Sequence, residues 1–169
     1  MVKDEIAGRL EVAFSQHGFA QMSVAELKIA SGVSLRTLYR YYPSKESMVI
    51  GALEHRHQRY LAYLDDESFA SGTDSVIALI DALACWMSED APNGCLSMNA
   101  FSAFPNNDEV NAAVQQHKEQ LVQLLAQRSA RPDLAMALFL IHEGVSLAWP
   151  TMGEHAIVAA KDMVRKLLK

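Results

Sequence analysis

The chain is poor in cysteine: Cys85 and Cys95 are its two thiols in 169 residues. Without CxxC spacing they argue against a disulfide framework and for reduced thiols in a cytoplasm. No unbroken apolar run approaches the roughly 18 to 20 residues of a membrane span, so no membrane partner is expected. The N-terminus, Met1-Val2-Lys3-Asp4-Glu5, meets acidic charge at once and has no apolar signal region, so no secretory leader is expected. Sustained period-2 alternation is missing, which removes sheet folds, and so are internal repeats and low-complexity segments. Hydrophobic residues are nevertheless 50% and charged residues 21%. These are globular proportions, and they exclude a disordered or collagen-like chain. The length allows one ordinary domain or two small ones and buries about 70% of the unfolded surface.

The formal net charge of −5 conceals an asymmetry. Residues 1–59 carry eight Lys/Arg and six Asp/Glu, whereas residues 60–169 carry seven against fourteen. Phosphate binding needs local positive charge, and an acidic remainder limits non-specific adhesion. The charge balance thus favours the N-terminal part as the place for a polyanion.

Spacings of three and four recur along the chain and predict an all-α fold of nine helical segments. They fall near residues 3–17, 24–31, 34–41, 44–64, 74–89, 95–104, 108–129, 133–149 and 154–168. Punctuation supports the boundaries. Ser23-Val24-Ala25-Glu26 is a capping box, Ser44 is a cap, and Pro43, Pro105, Pro132 and Pro150 interrupt. Asp65-Asp66-Glu67 and Ser71-Gly72-Thr73 form a polar break. The expected domains are 1–47 and 48–169.

Residues Ser23 to Ser47 carry the functional signal. Two short helices around Ser31-Gly32-Val33-Ser34 make a helix-turn-helix, with Gly32 suited to the tight turn. Val33 and Leu38 point inward in this arrangement, leaving Leu35, Arg36, Thr37, Tyr39, Arg40 and Tyr41 for the outer side. Such a helix fits the major groove of double-stranded DNA. Arg36 can address guanine through two bonds, Thr37 can bond or touch a thymine methyl, and tyrosine hydroxyls and Lys45 can hold phosphates. Ser23 and Ser34, at the two helix starts, complete the expected DNA-binding set.

The run Ser31-Gly32-Val33-Ser34-Leu35-Arg36-Thr37-Leu38-Tyr39-Arg40-Tyr41-Tyr42-Pro43-Ser44-Lys45-Glu46, with Phe14, Gly18, Phe19 and Ser23 to Leu27 before it, resembles the TetR family of bacterial transcriptional regulators. The close likeness covers about 45 residues, and Asn93-Gly94-Cys95-Leu96 extends it weakly. Lys28 departs from the pattern, which usually places alanine there for close helix approach. The resemblance implies a homodimer on a palindromic operator, with a C-terminal helical domain that binds a small molecule and forms a four-helix seam. By matched position Leu35, Arg36 and Thr37 read bases, Tyr39, Tyr41 and Lys45 touch phosphates, and Tyr42 packs into the core.

Beyond the head, the residues give smaller signals. Tyr60, Tyr63, Trp86, Met87, Met98, Phe101, Phe104 and His142 are the expected ligand-binding set, either core or the walls of an apolar effector cavity. An apolar stripe, Ala135, Leu138, Ile141, Val145 and Ala148, with Ile157, Ala160, Val164, Leu167 and Leu168, is expected to form the dimer seam through the last two helices. His55, Arg56, His57 and Arg59 read as a solvated face, since residues two apart point to different sides. His142, amid apolar neighbours, reads as a buried, hydrogen-bonded histidine or as pocket polarity. Cys85 and Cys95 read as inert packing, having no cationic neighbour in sequence. His17, His117 and His155 are isolated, and no HExxH spacing accompanies them, so no metal or other cofactor is expected. No nucleophile–base pair points to an enzyme. The expected function is a DNA-binding regulator released by an apolar or amphipathic effector. The alternative is an all-α interaction protein that keeps the fold without operator or ligand.

Overall fold

The structure, a computed structural model, describes residues 2–64 and 71–169. The acidic break expected at residues 65–67 lies outside the described residues. Among these there are nine α-helices and no strand: α1 Val2–His17, α2 Val24–Ser31, α3 Leu35–Tyr41, α4 Lys45–Leu64, α5 Thr73–Glu89, α6 Leu96–Ala103, α7 Asp108–Ser129, α8 Ala135–Met152 and α9 Glu154–Leu167. A single 3₁₀ turn, Pro132–Leu134, precedes α8.

Helix starts follow local chemistry. Ser23 accepts from the Glu26 N–H at 3.3 Å, while the Glu26 carboxylate accepts from the Ser23 N–H at 2.8 Å. The side-chain and backbone donors of Ser23 hold that carboxyl below the usual range. Ser44 and Ser47 exchange the same pair of bonds at 3.0 and 2.9 Å and open α4. Pro150 is a departure. It was expected to end the eighth helix, yet α8 runs on to Met152 and stops at Gly153, whose φ is 51°. Proline removes one intrahelical bond, and so close to the C-terminus few further bonds depend on it.

The chain divides into two compact units, Met1–Arg59 with Leu96–Gln116, and Tyr60–Cys95 with His117–Lys169. This differs from a boundary at residue 47. The first unit keeps the start of α4, all of α6 and the start of α7, because Met48, Val49, Ala52, Leu53, Leu96, Ala100, Val110 and Val114 share the core of Leu10, Phe14, Leu27 and Leu38. Gly51 has a packing reason: a Cβ there would run into the Tyr42 ring. That ring is buried, and its hydroxyl donates to the Lys3 carbonyl at 3.1 Å.

The His55–Arg59 segment is only in part a solvated face. Glu11, 2% exposed, draws it inward. The carboxylate pairs with His55 at 2.6 Å, Arg56 at 3.1 Å and Arg59 at 2.7 Å. Arg56 and His57 are buried, whereas Arg59 is exposed.

In the second unit α9 packs against α5 and α8. Leu79, Ile80, Leu83, Leu121, Leu125, Leu138, Val145, Ile157, Ala160 and Val164 form its core. This corrects the seam expected from the apolar stripe. Ala135, Leu138, Val145, Ile157, Ala160 and Val164 are buried within the protomer, and Ile141, Leu167 and Leu168 pack partly on the same core. The opposite side of α8 is apolar too. Met136, Leu140 (63% exposed) and Leu147 (84%) stand outward with Gly144, and Val158 and Met163 do so on α9. Two apolar faces make the span Pro132–Met152 long and apolar enough, at a mean hydropathy of 1.3, to cross a membrane by length and composition alone. Asp133, His142 and Glu143 interrupt that span, so it is not an unbroken apolar run.

Candidate nucleic-acid interface

The first unit builds the site from the turn outward. Gly32 ends α2 with φ 68°, a left-handed conformation that favours glycine. The Arg9 guanidinium of α1 donates to the Ser31 carbonyl at 2.9 Å and steadies the same corner. Ser34 then caps α3: its oxygen accepts from the Thr37 N–H at 3.1 Å and lies 2.8 Å from the Thr37 hydroxyl. Leu38 is fully buried and Val33 packs on the core. Two caps and two inward contacts fix how α3 leaves α2.

With Leu38 inside, the other side of α3 faces solvent. Leu35 is 43% exposed and Tyr39, one turn on, 41%. Arg36 and Arg40 are exposed, Thr37 and Tyr41 half-buried. The Arg40 guanidinium lies 5.8 Å from the Tyr41 ring centroid, a cation–π contact. Lys45 is half-buried and Ser23 exposed. Lys28 is exposed, so its side chain does not stand between α2 and α3.

The expected ligand-binding residues fall in both units. In the second, Tyr60 packs on Trp86 with centroids 5.0 Å apart, and Tyr63 on the same indole at 5.6 Å. Met87 is buried in the core there. In the first unit Met98 and Phe101 are exposed, while Phe104 is half-buried with its ring 6.2 Å from and edge-on to Phe19. A cleft of about 950 Å³ lies between α1 and α2 and is open to solvent. None of the eight expected ligand residues lines it.

His142 is buried, and Tyr60 Oη lies 2.5 Å from its Nε2. Its Nδ1 is 3.2 Å from Glu143 Oε1. A carboxylate only accepts, so Nδ1 carries the hydrogen and Nε2 accepts from the tyrosine. Burial, with Cys95 and Glu143 nearby, pushes the Tyr60 hydroxyl well above its usual range and keeps it a donor. Burial also holds His142 below 6.5, although Glu143 opposes it. Glu143 is pushed up by burial, but His142 and Lys118 outweigh that and hold it below the usual range.

Sequence reading missed the fourth member of this network. Lys118 Nζ lies 2.7 Å from Glu143 Oε2 and 3.5 Å from Cys95 Sγ. Cys95 therefore does have a cationic neighbour, brought from 23 residues away along the chain. Burial works against the Lys118 charge, but Cys95 and Glu143 outweigh it and hold the ammonium above its ordinary range.

His142 makes stability depend on pH. An unfolded histidine takes its proton near 6.5, the buried one at lower pH. The unfolded state thus binds more protons as pH falls below 6.5, and the stability contribution, full above 6.5, is lost towards the folded value. The urea midpoint is expected to fall more between pH 7.5 and 5.5 in the parent than in His142→Gln. Parallel losses would contradict the assignment.

Residues 11–52 match the family model described as bacterial regulatory proteins, tetR family. Over 130 residues the chain is 31% identical to the HTH-type transcriptional repressor ComR of Escherichia coli strain K12, an alignment covering 72% of this chain and 62% of that protein. The chain thus spans less than two thirds of that relative's length. Among solved structures it is similar to SCO4454, a TetR-family transcriptional regulator from Streptomyces coelicolor, with TM-score 0.87 and 17% identity over 99% of this chain and 94% of that one. E. coli NemR in its reduced form matches with TM-score 0.82 and 20% identity over 100% and 98% of the two chains. At such identities these two likenesses show the fold.

Proposed function

Since this chain belongs to the bacterial TetR family of regulatory proteins, we propose that it regulates transcription by binding a palindromic DNA duplex as a homodimer, most simply as a repressor. One observation carries the reading. Leu35, Arg36, Tyr39 and Arg40 stand exposed on α3 while Leu38 and the Ser34 cap lock that helix against the rest of the head. Arg36 supplies the paired donors that fit guanine, and Tyr39, Tyr41 and Lys45 supply phosphate contacts. Ser23 and Ser34 support the interface mainly as caps, since both oxygens already accept backbone N–H groups.

Dimerisation is assigned to the outward face of α8 and α9, through Met136, Leu140, Gly144, Leu147, Val158 and Met163. A Cβ at Gly144 would meet open space within the protomer, so the glycine leaves room for a second chain. A small, weakly charged effector is proposed for the second unit, at Tyr60, Tyr63, Trp86, Met87 and His142, where aromatic surface surrounds one polar pair. A cytoplasmic location follows from this role. The test is selection of bound sequences from a random duplex pool with the full chain. A palindromic motif bound with steep salt dependence supports the reading. Failure to enrich any sequence would favour an interaction protein that only keeps the fold.

A further inference from the structure

The outer face of α3 is more apolar than phosphate binding requires. Leu35 is its first residue and 43% exposed, and the inward contacts are made by Val33 and Leu38 instead. Tyr39 follows at i+4, the spacing that puts two side chains on one face. Thr37 adds to this. Its hydroxyl lies 2.8 Å from Ser34 Oγ, the oxygen that also accepts its N–H. With that hydroxyl engaged at the cap, the γ-methyl is the remaining side-chain group of a half-buried Thr37. Two apolar groups therefore flank Arg36 in the first turn, the part of a recognition helix that meets base edges.

The major groove offers one apolar feature to such groups, the C5 methyl of thymine. We infer that Leu35 and the Thr37 methyl read thymine methyl groups, so that each half-site carries thymine beside the guanine addressed by Arg36. Sequence preference then comes from two sources: paired donors on guanine, and apolar contact on either side. The inference rests on the proposed base-reading role of α3 and specifies what that helix reads.

The test uses the full chain and the duplex enriched from a random pool, with deoxyuridine replacing each thymine in turn. Uracil pairs as thymine does and lacks only the methyl. At one or two positions per half-site the replacement is expected to cost about fourfold in affinity, the equivalent of about 0.8 kcal/mol for one buried CH₂. The penalty is expected to vanish at one position in Leu35→Ala and at another in Thr37→Ser, which keeps the capping hydroxyl. Leu35 is exposed and alanine favours helix, so Leu35→Ala keeps its fold, checked by thermal unfolding. An enriched half-site lacking thymine, replacements without effect, or equal penalties in parent and variants would each overturn the inference and leave DNA binding standing. An unenriched pool would instead overturn the base-reading role of α3 itself, and the inference with it.

Discussion

Replacing Leu147 by glutamate is expected to leave the protomer folded and abolish the dimer. Leu147 is 84% exposed in the single chain, so its loss removes almost no internal packing. In a two-fold seam the same side chain is buried, and the substitution places two carboxylates in an apolar interface. Burying an unpaired charge costs several kcal/mol. An obligate-type seam of about 2,000 Å² tolerates little of that. Sedimentation at micromolar concentration is expected to show dimer for the parent and monomer for Leu147→Glu, which keeps its helical signal at 25 °C but melts at a lower temperature because the stabilisation from association is lost. Operator affinity is expected to fall by roughly a hundredfold or more, because each head then binds its half-site alone. Leu138→Glu, on the inward side of the same helix, is expected to unfold the second unit instead. A Leu147→Glu variant that remained dimeric would place the seam elsewhere.

The second large effect is expected at Glu11. Its carboxylate is 2% exposed and pairs with His55, Arg56 and Arg59. Removing one partner of a buried ion pair leaves the other desolvated charge poorly compensated, typically about 3–5 kcal/mol. Arg56, 8% exposed, is the partner that suffers; Arg59 is more open to water and contributes less. Glu11→Ala is therefore expected to lower the unfolding free energy by about 3 kcal/mol or more, read by urea titration. Glu11→Gln, which keeps an acceptor oxygen, is expected to lose less. A loss below about 1 kcal/mol for Glu11→Ala, the range of exposed pairs, would show that the cluster is solvated after all.

Much of the head is legible from sequence because its determinants are local. Ser23 with Glu26 and Ser34 with Thr37 lie three residues apart, and Gly32 needs only its own φ. Leu38 falls inside because the three-and-four spacing of a short helix leaves it little choice. The misreadings share a different cause. Nothing near Glu11 announces that residues 44 to 48 positions later will bring an imidazole and two guanidinium groups to it. The same holds for Lys118 and Cys95. The last two helices fail for another reason. Periodicity shows that α8 has an apolar stripe, but α8 has two, and spacing does not say which one meets its own chain. Leu138 and Leu147 are equally apolar; only the fold separates them, one buried and one exposed.

The account stands most directly on a comparison of Arg36→Ala with Lys45→Ala, each titrated against the selected operator and a scrambled duplex at several salt concentrations. Arg36→Ala is expected to cost about 1–3 kcal/mol per half-site on the operator, to relax preference at one base pair, and to change scrambled-duplex binding little. Lys45→Ala is expected to weaken both duplexes alike and to reduce the salt slope by about one per contact. Equal losses for the two variants on operator and scrambled DNA would contradict the assignment of α3 to base reading.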